Sequence, residues 1–246
     1  MSLAKAVVVG VGAEDGLGAA LSRCYAANGR HVLVAGRTLE KVEKVAAAIR
    51  REGGRASAHA VDATREEDVV RLFDAAMTDD GDGSPADLVT HNVGLNQKFD
   101  FRQTEASTFE DFWRLNTLSG FLVGREAARR FAPLGRGSVF FTGASGSLRG
   151  MPGFAHFAAS KAGLRMISQS MAREFGPQGL HVAHVVVDGA VDGERVKSLF
   201  PGVVDRLGEN GTLNTAAIAE TFWRLHLQHP SAWTQELDVR PFKEKF

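Results

Sequence analysis

The stretch Gly10-Val11-Gly12-Ala13-Glu14-Asp15-Gly16-Leu17-Gly18 has the plainest chemistry in the sequence. It follows a β-branched run and leads straight into a helical pattern. A strand-to-helix turn without Cβ atoms lets the backbone approach a pyrophosphate, whose charge then sits at the positive end of the helix dipole. Such a turn could serve only to pack helix against strand, but its place at the start of an alternating chain favours dinucleotide binding. A site specific for NAD usually ends the second strand in a carboxylate that bonds the ribose hydroxyls. Here that region reads Ala35-Gly36-Arg37-Thr38. A guanidinium suits a 2′-phosphate, so NADP(H) is the favoured cofactor. NAD(H) is the alternative, because Glu14 and Asp15 could repel that phosphate or pair with Arg37. Cys24, the single cysteine, forms no internal disulfide or multi-cysteine metal site. His181 and His184 fall on opposite faces of a strand, and His226 and His229 straddle a helix end, so no metal site is expected.

The elements that must position these residues follow from the alternation of short apolar runs with helical patterns. Strands are expected at Ala6 to Val9, His31 to Ala35, Ala56 to Val61, Asp87 to His91, Val139 to Thr142, His181 to Val187 and Thr234 to Val239. Helices fall between them, including a long one from about Phe154 to Phe175. The result is an α/β fold: a Rossmann-type doubly wound parallel sheet of about seven strands with helices on both faces. Leu17, Leu21 and Cys24 share one face of the first helix, with Gly29 past its end as a C-cap. Leu39, Val42, Ala46 and Ile49 are the expected buried face of the second, which stops at Gly53-Gly54. Thr64-x-x-Glu67 and Ser107-x-x-Glu110 have capping-box spacing at the starts of the third and fourth. The run Asp79 to Pro85 is a turn-rich loop inside a single domain, residues 1–246.

The balance of 29 basic and 29 acidic residues leaves no net field to attract nucleic acid or an anionic membrane. A small-molecule partner is expected instead. The start lacks the features of a secretory signal, and a cytoplasmic location is expected; Met1-Ser2-Leu3 reads as a remnant of cloning.

From the first strand to about Val191 the sequence resembles the short-chain dehydrogenase/reductase family. Gly12-x-x-x-Gly16-x-Gly18 is similar to that family's cofactor turn, in which Asp15 and Leu17 also lie. Asp62-Ala63 resembles its adenine-contacting pair, and His91-Asn92-Val93-Gly94 its Asn-Asn-Ala-Gly segment. Asn116 lies where the family's fourth-helix asparagine holds a proton-relay water, and Val191 where a residue contacts the nicotinamide carboxamide. The resemblance implies an NAD(P)-dependent oxidoreductase that assembles as a homodimer or homotetramer through its fourth and fifth helices and its last strand, with Trp233 and Phe242 packed at a subunit contact.

The departures concern the chemistry. The family carries Tyr-x-x-x-Lys on its fifth helix with a serine thirteen residues before the tyrosine. This chain reads Phe157-Ala158-Ala159-Ser160-Lys161, with Ala144 at the serine position. Lys161 is still expected to bond the nicotinamide ribose, but phenylalanine cannot protonate an alkoxide. The resemblance therefore implies an atypical site for hydride transfer to or from a small apolar carbonyl, alcohol or activated C=C bond, and the alternative is an inactive dinucleotide sensor. Ser145 is a substitute donor to consider, and Ser147 a weaker one. His91 is expected to bond backbone. Asp188, in place of a family proline, is a turn cap or a displaced acid. Phe154 and Phe157 are the favoured lining of an apolar substrate pocket; Leu95, Phe99, Met151 and Phe200 are weaker candidates.

Overall fold

The computed structural model of the protein describes residues 4–79, 81, 83–199 and 201–244. Met1-Ser2-Leu3, Asp80 and Asp82 of the turn-rich loop, and Phe200 lie outside the described residues. Seven strands, β1 (Ala4–Val9), β2 (His31–Gly36), β3 (Arg55–Ala60), β4 (Ser84–His91), β5 (Gly137–Ala144), β6 (Leu180–Val187) and β7 (Glu236–Val239), form one sheet in the order β3-β2-β1-β4-β5-β6-β7. Every neighbouring pair is parallel. Parallel strands covered on both faces read as near-continuous apolar runs, as β1, β5 and β6 do. The period of two then assigns each side chain to a layer. Phe140 packs with α1 (Leu17–Ala27), α2 (Leu39–Arg51) and α9 (Thr215–His226). Phe141 packs on the other face with α3 (Glu66–Met77), α5 (Ser119–Phe131) and α6 (Ala155–Phe175). The short helices α4 (Ala106–Trp113), α7 (Glu194–Leu199) and α8 (Val203–Leu207) complete the set.

Strand order reverses between β1 and β4, and the crevice at their carboxyl ends is where open sheets of this kind receive ligands. The glycine turn leaves β1 at that point, and Asn92-Val93-Gly94 leaves β4 beside it. Gly29, at φ +85°, ends the first helix as expected.

Several local expectations are corrected. Leu39 is 56% exposed, and Val45 is buried along with Val42, Ala46 and Ile49. Neither capping box forms. The Thr64 hydroxyl donates instead to Asp62 Oδ1 at 2.7 Å, and Asp68 Oδ2 accepts the Asp62 N–H at 3.0 Å. Ser84 and Pro85 begin β4 rather than closing the preceding loop. The helix after Ser107 is broken by a π-helical turn, Arg114–Leu118, between α4 and α5.

Candidate active site

The four glycines of the turn have separate duties. Gly10 adopts φ +97°, and a Cβ there would lie 2.6 Å from the backbone of Asn92 and Val93. Gly18 packs against the Gly10 carbonyl, 2.9 Å from where its Cβ would be. Around Gly12 there is nothing within 4 Å, so its bare backbone faces open space. Helix α1 starts from Gly16 with no side-chain cap and no acidic residue in its first turn, which leaves its N-terminal donors and dipole for an anion. Asp15 is exposed and Leu17 half-buried at the turn. The turn thus fits a dinucleotide phosphate.

Arg37 is exposed just past β2, and among the described residues it forms no ion pair; the expected alternative of pairing with Glu14 or Asp15 is not seen. Asp62 spends its Oδ1 on the Thr64 N–H and hydroxyl, and Ala63 is buried beside it. Asn92 ties the two crevice strands together: its N–H donates to Val9 O at 2.7 Å and its amide to Gly10 O at 3.2 Å. Val191 pairs with Leu213 through a parallel bridge.

Lys161, Asn116 and Gly94 converge at the end of the sheet. Lys161 and Phe157, one turn apart on α6, are both buried. The Lys161 ammonium donates to Thr142 O at 2.9 Å and to Val93 O at 3.4 Å. Burial lowers its pKa to about 8. Asn116 sits in the π-turn, a distortion frequent at functional sites. Its amide donates to Phe112 O at 3.0 Å and to Ser160 Oγ at 3.1 Å. Its Oδ1 is buried without a partner. A Cβ on Gly94 would lie 3.2 Å from Lys161 Nζ and 3.4 Å from that oxygen, so glycine keeps the space between them open.

The other sequence candidates are placed as follows. Ser145 is half-buried at the start of a 3-10 turn; its carbonyl accepts from Leu148 and Arg149, while its hydroxyl has no hydrogen bond among the described residues. Ser147 donates its hydroxyl to Ala144 O at 2.5 Å. His91 bonds the Ser119 hydroxyl through Nε2 at 2.8 Å, not the backbone, because its ring is buried beneath α5 where that serine faces it. Asp188 neither caps a turn nor stands free: it is buried and receives Arg149 at 2.9 Å and 3.2 Å. Met151 and Phe242 are exposed, whereas Trp233 stacks on His181 of its own chain with ring centroids 4.9 Å apart.

The aromatic residues expected to line a pocket are placed as follows. Phe157 is buried and packs over Gly146, where a Cβ would come within 2.8 Å of its ring. A hollow of about 210 Å³ is lined by Phe99, Phe101, Thr104, Phe109, Gly153, Ala155 and His156, without Phe154. Phe101 and Phe109 carry no periodic signal that would single them out. Among the described residues no group of His, Cys, Asp and Glu could hold a metal ion, and no helix is long and apolar enough to cross a membrane.

Residues 5–203 match the family model described as short chain dehydrogenase. Gluconate 5-dehydrogenase of Gluconobacter oxydans (strain 621H) is 27% identical over 181 residues, which is 74% of this chain and 70% of that protein. The 3beta-hydroxysteroid dehydrogenase 1 of Eggerthella lenta is 32% identical over 193 residues, 76% of this chain and 71% of that one. The crystal structure of a short-chain dehydrogenase from Rhodopseudomonas palustris matches with a TM-score of 0.81 at 36% identity, covering 97% of this chain and 99% of the other.

Proposed function

The chain belongs to the short-chain dehydrogenase family, and from that premise we propose that it is an NADP(H)-dependent oxidoreductase with an atypical active site. The observation that carries this reading is the coexistence of an open phosphate turn at Gly12 with the convergence of Lys161, Asn116 and Gly94. Gly12, Gly16 and the start of α1 would hold the pyrophosphate, Arg37 the 2′-phosphate, Asp62-Ala63 the adenine, Asn92 and Gly94 the crevice wall, and Lys161 with Val191 the nicotinamide half. When bound, the cofactor supplies the hydride. The protein's own share is to position the reactants and exclude water. The aromatic hollow beside the Phe99 loop and the start of α6 supports a small apolar carbonyl, alcohol or activated C=C substrate.

Phe157 and Ala144 leave no phenol or serine hydroxyl at the positions where the family carries them. Loss of such general acid help typically costs ~10² to 10⁴-fold in rate. This favours polarised C=C bonds, whose enolate products need less protonation, and it is also the ground for a second reading as a non-catalytic cofactor sensor. Titrating the purified protein with NADPH and NADH, then screening ketones, alcohols and enones at the nicotinamide absorbance band, separates the two. NADPH binding with turnover supports the enzyme, and tight binding that stays silent on every class supports the sensor. Carbonyl reduction by a Phe157→Tyr, Ala144→Ser double variant should rise ~10²-fold or more. Assembly as a homodimer or homotetramer in the cytoplasm completes the proposal. An apolar groove of about 560 Å³ between α5 and α6, bordered by Phe121, Met171 and Phe175, supports the assembly.

A further inference from the structure

We propose that the ammonium of Lys161 is the proton source for the alkoxide or enolate formed in this site, in place of a phenol that Phe157 does not carry. The inference rests on the reductase reading above.

Most of the other proton-bearing groups around the crevice are committed elsewhere; the Ser145 hydroxyl is not, but an alcohol is a far weaker acid than an ammonium. His91 is bonded to Ser119 and kept neutral by its burial. His156 holds the Gln97 carbonyl at 2.9 Å and packs edge-on against Phe99 and Phe112. The Ser147 hydroxyl is spent on Ala144 O, and Asp188 is locked to Arg149. Lys161 combines a readily ionisable proton with an open space beside it. Two of its three N–H groups are held by the Thr142 and Val93 carbonyls. The third has no protein acceptor among the described residues, and the space kept open by Gly94 is bordered on its far side by the unpartnered Asn116 Oδ1. A donor and an acceptor facing across such a gap can hold one hydroxyl or water between them.

The surroundings also make the ammonium a better acid than a free lysine. Towards it face His91 from β4, His184 from β6, Asn116 from the π-turn and Ser160 from its own helix; none is a carboxylate, and burial keeps both histidines neutral. The nearby Glu236 is taken up by Arg165 at 2.6 Å and by His184 at 3.0 Å. A buried cation with only neutral partners gives up its proton more readily, and the value of about 8 agrees with that geometry. A bound reduced nicotinamide would supply the hydride to the electrophilic carbon, with the π electrons moving to oxygen. That oxygen takes the proton from Nζ. Neutral lysine, oxidised nicotinamide and the reduced product remain, and water reprotonates the amine.

The ammonium can be followed without turnover by ¹⁵N NMR of lysine-labelled, unliganded protein, with the Lys161 signal assigned by its loss in Lys161→Arg. It should titrate near 8 rather than at the ordinary value of about 10.4. In the wild type, kcat for NADPH-dependent reduction should fall about tenfold per pH unit above that same midpoint. Lys161→Arg should bind NADPH more weakly and, at saturating NADPH, reduce substrate at least ~10²-fold more slowly, because a guanidinium does not release its proton. Phe157→Tyr should uncouple the rate from the lysine midpoint. A midpoint near 10, a pH-independent kcat, or full activity in Lys161→Arg would overturn the proposal. So would loss of reduction in Ser145→Ala with Lys161→Arg still active, which assigns the proton to that hydroxyl. Failure of the wild type to bind NADPH at all would remove the reductase reading first, and this proposal with it, whatever the NMR titration shows.

Discussion

Gly10 and Gly12 stand two residues apart in one turn, yet they are bare for different reasons. Gly10 needs its positive φ and would drive a Cβ into the chain leaving β4, whereas a Cβ on Gly12 would meet no protein atom. Gly10→Ala should therefore destabilise the protein by ~2 kcal/mol or more, from left-handed strain plus overpacking, measured by urea unfolding. Gly12→Ala should leave the urea midpoint in place and weaken NADPH binding about tenfold or more, by holding the phosphate off the backbone. Equal effects on stability at both positions would mean that the turn only packs. The sequence shows glycines in the right place but cannot separate these duties, because both depend on what approaches from β4 or from outside the chain. Similarly, the spacing of Phe157 and Lys161 placed both on one face of α6, but only the structure shows that the ring is buried against Gly146.

At the level of elements, the strands were legible because β-branched runs between turn formers leave few alternatives. Helix starts were less legible. Thr64 and Glu67 have the spacing of a capping box, but Asp62 competes for the Thr64 hydroxyl and wins it. The π-turn at Asn116 has no composition signal at all; only tertiary contact with Ser160 and Phe112 reveals it. The same is true of Asp188, which pairs at 2.9 Å with Arg149 on the segment after β5, 39 residues away in sequence, and at 3.7 Å with Arg240 just past β7. The pair with Arg149 ties the exit of β5 to the exit of β6, and so fixes two segments that flank the crevice. Arg149 is 40% exposed and can regain water, so Asp188→Asn should cost only ~1–2 kcal/mol in urea unfolding, well below the ~3–5 of a fully buried pair. The loosened segments should also raise KM more than they lower kcat. An unchanged unfolding midpoint would show that the pair contributes nothing to holding them.

Across the whole molecule, two features act beyond the crevice. The groove between α5 and α6 exposes Phe121, with the Arg125 guanidinium 5.5 Å from its ring; if it is the assembly surface, Phe121→Glu should convert the oligomer to monomer in sedimentation at equal fold stability. The second feature is a pair of histidines kept neutral by their surroundings, His91 buried in β4 and His226 half-buried at the end of α9. His226 accepts from Arg30 at 2.7 Å through Nε2, and its Nδ1 pairs with the Ser138 hydroxyl at 2.8 Å. A second ring proton would be both desolvated and aimed at a guanidinium, and these causes lower its pKa from 6.5 to about 4. His91 is lowered to about 3 by burial and by the charge of Lys161. Both folded values lie below the unfolded one, so the unfolded chain binds the extra protons first as pH falls. Their contribution is fully present above pH 6.5 and is lost progressively towards pH 4 and 3, at up to about 1.4 kcal/mol per pH unit for each ring. Carboxylates with lowered values, such as Glu236, act in the same direction but only nearer their own range, so the window from pH 6.5 to 5 isolates the histidines. Urea unfolding across that window should show stability decreasing with acid in the wild type. His226→Gln should flatten the slope by about 1.4 kcal/mol per unit. A slope unchanged by that substitution would show that the Arg30–His226 contact does not hold the ring neutral.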